Sequence, residues 1–177
     1  MKVRLLGVLT VLFGIAVFVL DGTAFGQETW QRMTANDGSF NVEMPGQPKY
    51  SAEPQKTAKG SEFTMHQYLL ELDTRAFVVQ IATYPQEVNV SNTRNNIQSG
   101  LDNTAKDMEG GKWINVRWTT YQGLTASDAT GVKSGYSIRI FSVTKGRTIY
   151  TLTYGGPADT AQGADANRFI NSFLITK

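Results

Sequence analysis

Apolar and polar residues alternate along much of the chain, which predicts a protein built mainly of β-strands. The stretch 38–44, GSFNVEM, alternates and then meets Pro-Gly-x-Pro, where proline ends the strand because it cannot donate to a sheet ladder. The polar segment 49–59 is predicted to be mostly loop or an edge strand. Further strands are predicted at 60–72, 76–85, 113–121, 124–132, 136–144 and 147–154.

Two segments change from the strand period to the helical period. Ile97, Leu101 and Met108 share one face of a helix that ends near the glycine pair at 110–111. A second helix is predicted from about Asp159, with the apolar face Ala166, Phe169, Ile170 and Phe173. The chain therefore offers two helices to cover a sheet.

The strands themselves indicate where those helices lie. Segments 76–85 and 136–144 carry apolar residues on both faces, whereas a sheet solvated on one side would alternate cleanly. Both faces of the sheet are therefore expected to be covered. We predict an α+β fold, an α/β/α sandwich around a central, mainly antiparallel sheet.

The first 26 residues have the pattern of a secretory signal peptide. Lys2 and Arg4 precede an apolar run at 5–20, and Ala-Phe-Gly at 24–26 provides a small-x-small cleavage site. Cleavage after Gly26 would release a single domain, 27–177, into the periplasm or the medium, without stable membrane insertion. The alternative is an uncleaved signal that tethers the domain to the membrane.

Charge and cysteine content narrow the classes of function. The 177 residues include 17 Lys and Arg, 15 Asp and Glu and no cysteine, giving a formal net charge of +2. Because the basic residues are scattered, the sequence shows no electrostatic footprint for nucleic acid. Without cysteine, disulfides and thiolate chemistry are excluded.

Few side chains offer the chemistry of a catalytic or metal site. His66 is the single histidine, so a histidine-dependent enzyme would have to use it together with a carboxylate. Asp102, Asp107 and Glu109 fit a solvated helix face better than a convergent cation site. The glycines in GGK and YGGP match no phosphate-binding pattern. We therefore expect no catalytic residue, no metal and no cofactor.

The stretch KWINVRWTTYQG carries the most suggestive side chains. Strict alternation places Trp113, Arg117 and Tyr121 on one strand face, and Trp118 on the other face beside Ile114. A row of aromatic and arginine side chains is the composition that protein interfaces favour, so these three residues are the predicted binding site. Alternatively, the two aromatic residues pack under a helix and Arg117 extends to solvent.

Several different short motifs are spread along the whole length of the predicted domain. They are an early tryptophan (Trp30), GSFNVEMPGQP, the pair Tyr84-Pro85, GLDNTAKD followed by GGK, the hairpin IRIFSVTKGRTIYTLTY, and a terminal NRFINSFLI. Together they resemble the PsbP-like family, which is named for an extrinsic subunit of photosystem II. The resemblance covers about 30–177 and implies the same α/β/α fold. The chain departs from the family in the loop YQGLTASDATG, which lacks the usual glycine-aromatic-proline-glycine turn.

Two classes of function follow. The family resemblance implies little about activity, because its exported bacterial members outside photosynthesis are mostly uncharacterised, and kinship of fold does not fix function. We predict a non-catalytic binding or assembly module that recognises another exported protein or a small ligand through the tryptophan strand. The alternative is a periplasmic enzyme, a hydrolase, with a site around His66.

Overall fold

The computed structural model describes residues 28–57, 59–108, 111–133 and 135–177. The predicted signal peptide, 1–26, lies outside the described residues. The strands are β1 (Gln31–Thr34), β2 (Phe40–Met44), β3 (Lys49–Lys56), β4 (Glu62–Glu71), β5 (Ala76–Thr83), β6 (Lys112–Tyr121), β7 (Leu124–Lys133), β8 (Tyr136–Lys145), β9 (Thr148–Pro157) and β10 (Leu174–Ile175). The helices are α1 (Thr93–Asp107) and α2 (Ala164–Asn171), with a 3-10 turn at Thr160–Gln162.

A seven-stranded sheet forms the centre of the molecule. Its strand order is β3-β4-β5-β9-β8-β7-β6, and neighbouring strands pair antiparallel throughout. The predicted hairpin of 60–72 with 76–85 is present as β4 and β5. The segment 49–59 contains β3, an edge strand, which suits its Pro54 because the amide that proline lacks is not needed at an edge.

One face of the large sheet is covered by a second sheet together with α2, and we call it the α2 face. The second sheet has the order β1-β2-β10, so the stretch 38–44 belongs to this small sheet and not to the central one. Phe40 of β2 and Phe169 of α2 are fully buried there against central residues such as Phe77 and Leu152. This is the larger part of the core.

The opposite face, the α1 face, is covered by α1. Ile97 and Leu101 of this helix are 1% and 2% exposed, and Leu101 packs with Ala129 and Ile140 of the sheet. The predicted α+β sandwich with a helix on each face is therefore confirmed, and the small sheet adds to the layer of α2. No helix among the described residues is long and apolar enough to cross a membrane.

The second helix is shorter than predicted. It begins at Ala164, five residues beyond the predicted Asp159, because two residues before it have non-helical backbones. Asp159 is left-handed, with φ of 65°, and Gly163 is extended, with φ of −72° and ψ of 175°. The predicted apolar face is confirmed, since Ala166, Phe169 and Ile170 are buried in α2 and Phe173 is buried just after it.

Candidate functional site

A β-bulge in β6 separates the three residues predicted to share a strand face. The register with β7 shifts between Trp113 and Asn115, so Ile114 is the extra residue and is 62% exposed. Trp113 therefore lies on the α1 face, whereas Arg117 and Tyr121 lie on the α2 face. The prediction of one common face was wrong, because strict alternation assumes a strand without a bulge.

Two of the three predicted binding residues are held in the core. The indole Nε1 of Trp113 donates to the carbonyl of Leu101 in α1 at 3.1 Å. The hydroxyl of Tyr121 donates to the carbonyl of Phe173 at 2.6 Å, and its ring packs against the rings of Phe141 and Phe173. Both side chains are half-buried. Trp113 links α1 to the sheet, and Tyr121 links the segment that follows α2 to the sheet. Of the three, Arg117 alone remains well exposed, with 65% of its side chain accessible.

Arg117 belongs to a cluster of two arginines around one carboxylate. Asp128 of β7 accepts two hydrogen bonds from Arg139, at 2.9 Å each, and a third from Nη2 of Arg117 at 3.0 Å. Asp128 and Arg139 are 7% and 5% exposed. Nη1 of Arg139 also donates to Oδ1 of Asn167 in α2, at 2.7 Å. The cluster carries one more positive than negative charge.

The environment of Asp128 keeps its carboxyl group ionised. Burial raises the pKa of Asp128, but the hydrogen bonds and charges of Arg139 and then Arg117 outweigh it and lower the pKa from the usual 3.8. An ionised Asp128 is an acceptor only. The carboxylate therefore orients the two arginines and has no proton to supply.

An open groove of about 540 Å³ lies beside this cluster. Arg117 and Asp128 line it on the sheet side, Ile114 lies at the bulge, and Asp159 and Gln162 belong to the chain segment before α2. Gln162 donates to the hydroxyl of Thr130 across the groove at 2.9 Å. This groove is the candidate binding site, with the exposed guanidinium of Arg117 at its wall.

The other residues considered from the sequence lie elsewhere. His66, on β4, shares a 2.8 Å hydrogen bond between Nδ1 and the hydroxyl of Tyr50, and the two rings are stacked. Asp102 is exposed on α1 and accepts from Gln98 at 2.8 Å, Asp107 is the last residue of α1, and Glu109 lies outside the described residues. Among the described residues, no group of three or more acidic or histidine side chains is placed to hold a metal ion.

The sequence-based prediction did not identify a set of buried polar side chains on the α1 face. Gln80 interrupts the apolar run AFVVQIA, and Ser142 interrupts IFSV, yet both are at most 6% exposed. Arg139, on the α2 face, is also a buried charge within a strand of apolar residues. A polar residue inside a strand that is apolar on both faces is the signal that would have found them.

The architecture defines a three-layered α+β protein, and the same fold occurs in a solved structure. The solution structure of cyanobacterial PsbP (CyanoP) from Synechocystis sp. PCC 6803 matches with a TM-score of 0.54 and 12% identity, over 89% of this chain and 99% of that chain. PA94 of Pseudomonas aeruginosa, a protein of unknown function, matches with a TM-score of 0.49 and 12% identity, over 84% and 97%. No protein-family model and no curated protein matches the sequence.

The protein thus has a PsbP-like fold. The resemblance predicted from its motifs is confirmed at the level of the fold by the likeness to the cyanobacterial protein. At 12% identity this likeness carries no information on partners or chemistry, which have to be argued from the residues of this chain.

Proposed function

We propose that the protein is an exported, non-catalytic binding module that holds an extended acidic segment of another exported protein in the groove beside β6. One observation carries the proposal: Arg117 is exposed at the groove wall, next to a carboxylate that a buried arginine already holds. A guanidinium with spare donors binds carboxylates in a planar, bidentate geometry. The export part rests on the signal-like pattern of 1–26.

The charges around the groove support an acidic partner. Lys112 begins β6 and is paired with Val132, and Lys133 ends β7, so two lysines lie at the same end of the sheet as the groove. Asp159 is the acidic residue on the opposite wall. Because Asp128 is neutralised by Arg139, positive charge remains in excess and favours encounter with an acidic segment.

The position of β6 supports an extended partner. β6 is the last strand of the seven-stranded sheet, so one of its edges pairs with no described strand. A peptide can add to such an edge through main-chain hydrogen bonds, while adjacent pockets read its side chains. Ile114, exposed at the bulge, offers an apolar contact beside Arg117.

The residues of the groove suit binding better than proton transfer. Arginine stays protonated at all physiological pH values, and Asp128 is held in its ionised form. His66 lies on β4, which β5, β9, β8 and β7 separate from β6 in the sheet. These features support a module that recognises a charged group without transforming it.

A capture experiment with a matched charge reversal tests the proposal. Exported proteins of the source organism are passed over the immobilised full chain, over an Arg117→Glu variant, and over an Arg32→Glu variant. Arg32 lies on β1, and its side chain is also 65% exposed, so the control makes the same charge change away from the groove. We expect a partner that the wild type and Arg32→Glu retain and Arg117→Glu loses.

The partner should also respond to salt, because the proposed contact is exposed and ionic. Replacing the acidic residues of its bound segment with lysine should restore capture by Arg117→Glu. Equal capture by both arginine variants would remove the groove as the site of recognition.

A further inference from the structure

A row of buried polar side chains crosses the central sheet on the α1 face. Its members lie on β4, β5, β9, β8 and β7, and each is the direct cross-strand partner of the next: Gln67, Gln80, Thr151, Ser142 and Ser127. The last four are all 6% exposed or less. Hydroxyl and amide groups in a helix–sheet interior are costly unless they are hydrogen-bonded. The row therefore requires a reason other than packing.

Gln80 presents an unused acceptor in the middle of this row. Its Nε2 donates to Oε1 of Gln67 at 2.8 Å. Its own Oε1 is buried and has no hydrogen-bond partner among the described residues, and the same holds for Oγ of Ser127. A buried acceptor left without a donor destabilises the fold. Such an atom is expected where a donor arrives from outside the chain.

Gln80 lines a cavity between α1 and the sheet. The cavity has a volume of about 50 Å³, and its other deeply buried polar residues are Thr104, Ser142 and Thr151. Half-buried Phe63 and Tyr84, whose ring centroids are 5.3 Å apart, also line it. None of its lining residues is charged. A space of this size holds about three waters or the polar end of a small ligand.

Gly100 keeps this cavity open from the helix side. It lies in the interior of α1, where glycine is less favourable than alanine, and its φ is not positive. A Cβ built on it would meet no heavy atom within 4 Å, so close packing does not require glycine there. Gly100 lines the cavity, and the absence of its side chain is what leaves the space free.

We propose that this cavity binds a neutral small molecule that has an apolar body and a hydroxyl or amide N–H group. The donor of the ligand reaches Oε1 of Gln80, and the apolar body lies against the rings of Phe63 and Tyr84. A charged ligand is excluded because no lining residue offsets the cost of removing its charge from water. The cavity is on the opposite face of the sheet from Arg117, so it goes beyond the acidic-segment groove and is tested independently.

Phenol is the first probe, because it joins an aromatic ring to one hydroxyl donor. Toluene has the same ring without the donor, and benzoate has the ring with a negative charge. The three are titrated into the isotopically labelled full chain while the side-chain amide signals of Gln80 are followed by NMR. We expect a saturable shift with phenol, an affinity about tenfold higher than for toluene, and no saturable shift with benzoate.

Variants connect the binding to the cavity. Gly100→Leu fills the space and is expected to lower phenol affinity at least about tenfold, whereas Lys106→Leu places the same side chain on the exposed side of the same helix and should leave it unchanged. Gln80→Leu should equalise phenol and toluene. Should Gly100→Leu fail to fold, Gly100→Ala adds one methyl group and is expected to weaken phenol binding severalfold.

Three results would overturn the proposal. The first is equal affinity for phenol and toluene, and the second is wild-type phenol affinity in a folded Gly100→Leu variant. The third is the absence of a saturable shift with phenol, in a cavity that holds ordered water only.

Discussion

The guanidinium of Arg139 holds the carboxylate of Asp128 through two parallel hydrogen bonds, from Nε to Oδ1 and from Nη2 to Oδ2, each 2.9 Å long. Both residues are buried, and the third donor group of Arg139 reaches Asn167 of α2. The pair therefore joins β7 and β8 to α2. It also fixes the carboxylate that positions Arg117 at the groove.

Removing Arg139 should destabilise the protein strongly. In Arg139→Met the buried carboxylate of Asp128 keeps only the exposed Arg117 as a partner, so we expect the free energy of unfolding to fall by about 3–5 kcal/mol. Arg117→Met is the matched control, with an expected loss of at most about 1 kcal/mol because its side chain is 65% exposed. Urea denaturation measures both. Similar losses in the two variants would contradict this account of the cluster.

Asp128 should make the fold sensitive to acid. The pKa of its carboxyl is lower in the folded protein than the usual 3.8, so its ionisation stabilises the fold above that value. That contribution is lost as the pH falls through the lowered pKa. Between about pH 6 and pH 2, the wild type should therefore lose more unfolding free energy than Asp128→Asn, as measured by urea titrations at each pH. Parallel pH profiles would show that Asp128 is not responsible.

Tyr121 should contribute to stability through both its ring and its hydroxyl group. Tyr121→Phe removes the hydrogen bond to the carbonyl of Phe173 and is expected to cost about 1 kcal/mol. Tyr121→Ala also removes the ring packed on Phe141 and should cost about 3 kcal/mol. Thermal and chemical denaturation distinguish the two steps. An unaffected Tyr121→Ala variant would place this ring outside the core.

The bulge in β6 predicts opposite behaviour for two adjacent apolar residues. Trp113 is anchored to α1, so Trp113→Ala should cost about 3 kcal/mol or more. Ile114 is exposed at the bulge, so Ile114→Ala should change the free energy of unfolding by no more than about 0.5 kcal/mol. Equilibrium unfolding of the two variants compares them directly. A regular strand without a bulge would bury Ile114 and make its truncation costly.

Two glycines should respond in opposite ways to replacement by alanine. Gly100→Ala in α1 should stabilise the protein by up to about 1 kcal/mol, because helix propensity improves and the new methyl group meets empty space. Gly131→Ala in β7 should destabilise it, because a Cβ there lies 3.0 Å from both the carbonyl oxygen of Lys112 and the ring of Trp113. Melting temperatures should move in opposite directions, and a common direction would contradict the described packing of α1 and β6.

The period of apolar residues was sufficient to predict most of the strands, both helices and the covering of both sheet faces, but not the short strands β1 and β10. This succeeded because burial on one or two faces imposes its own repeat on the sequence, as in 76–85 and 136–144. Periodicity does not say which strands pair at long range, however. The placement of 38–44 in a separate small sheet depends on its pairing with β10, which is more than a hundred residues away.

The candidate sites depended on contacts that no local pattern contains. Trp113, Arg117 and Tyr121 were identified by composition, but a one-residue bulge decided that they lie on different faces. Asp128 and Arg139 meet only because β7 and β8 are paired in register, and Gln80 meets Ser142 only through Thr151 of β9. The sequence by itself determined most of the elements and the covering of both sheet faces, because local burial sets the repeat. The tertiary structure alone decided the sites, because strand register sets which side chains become neighbours.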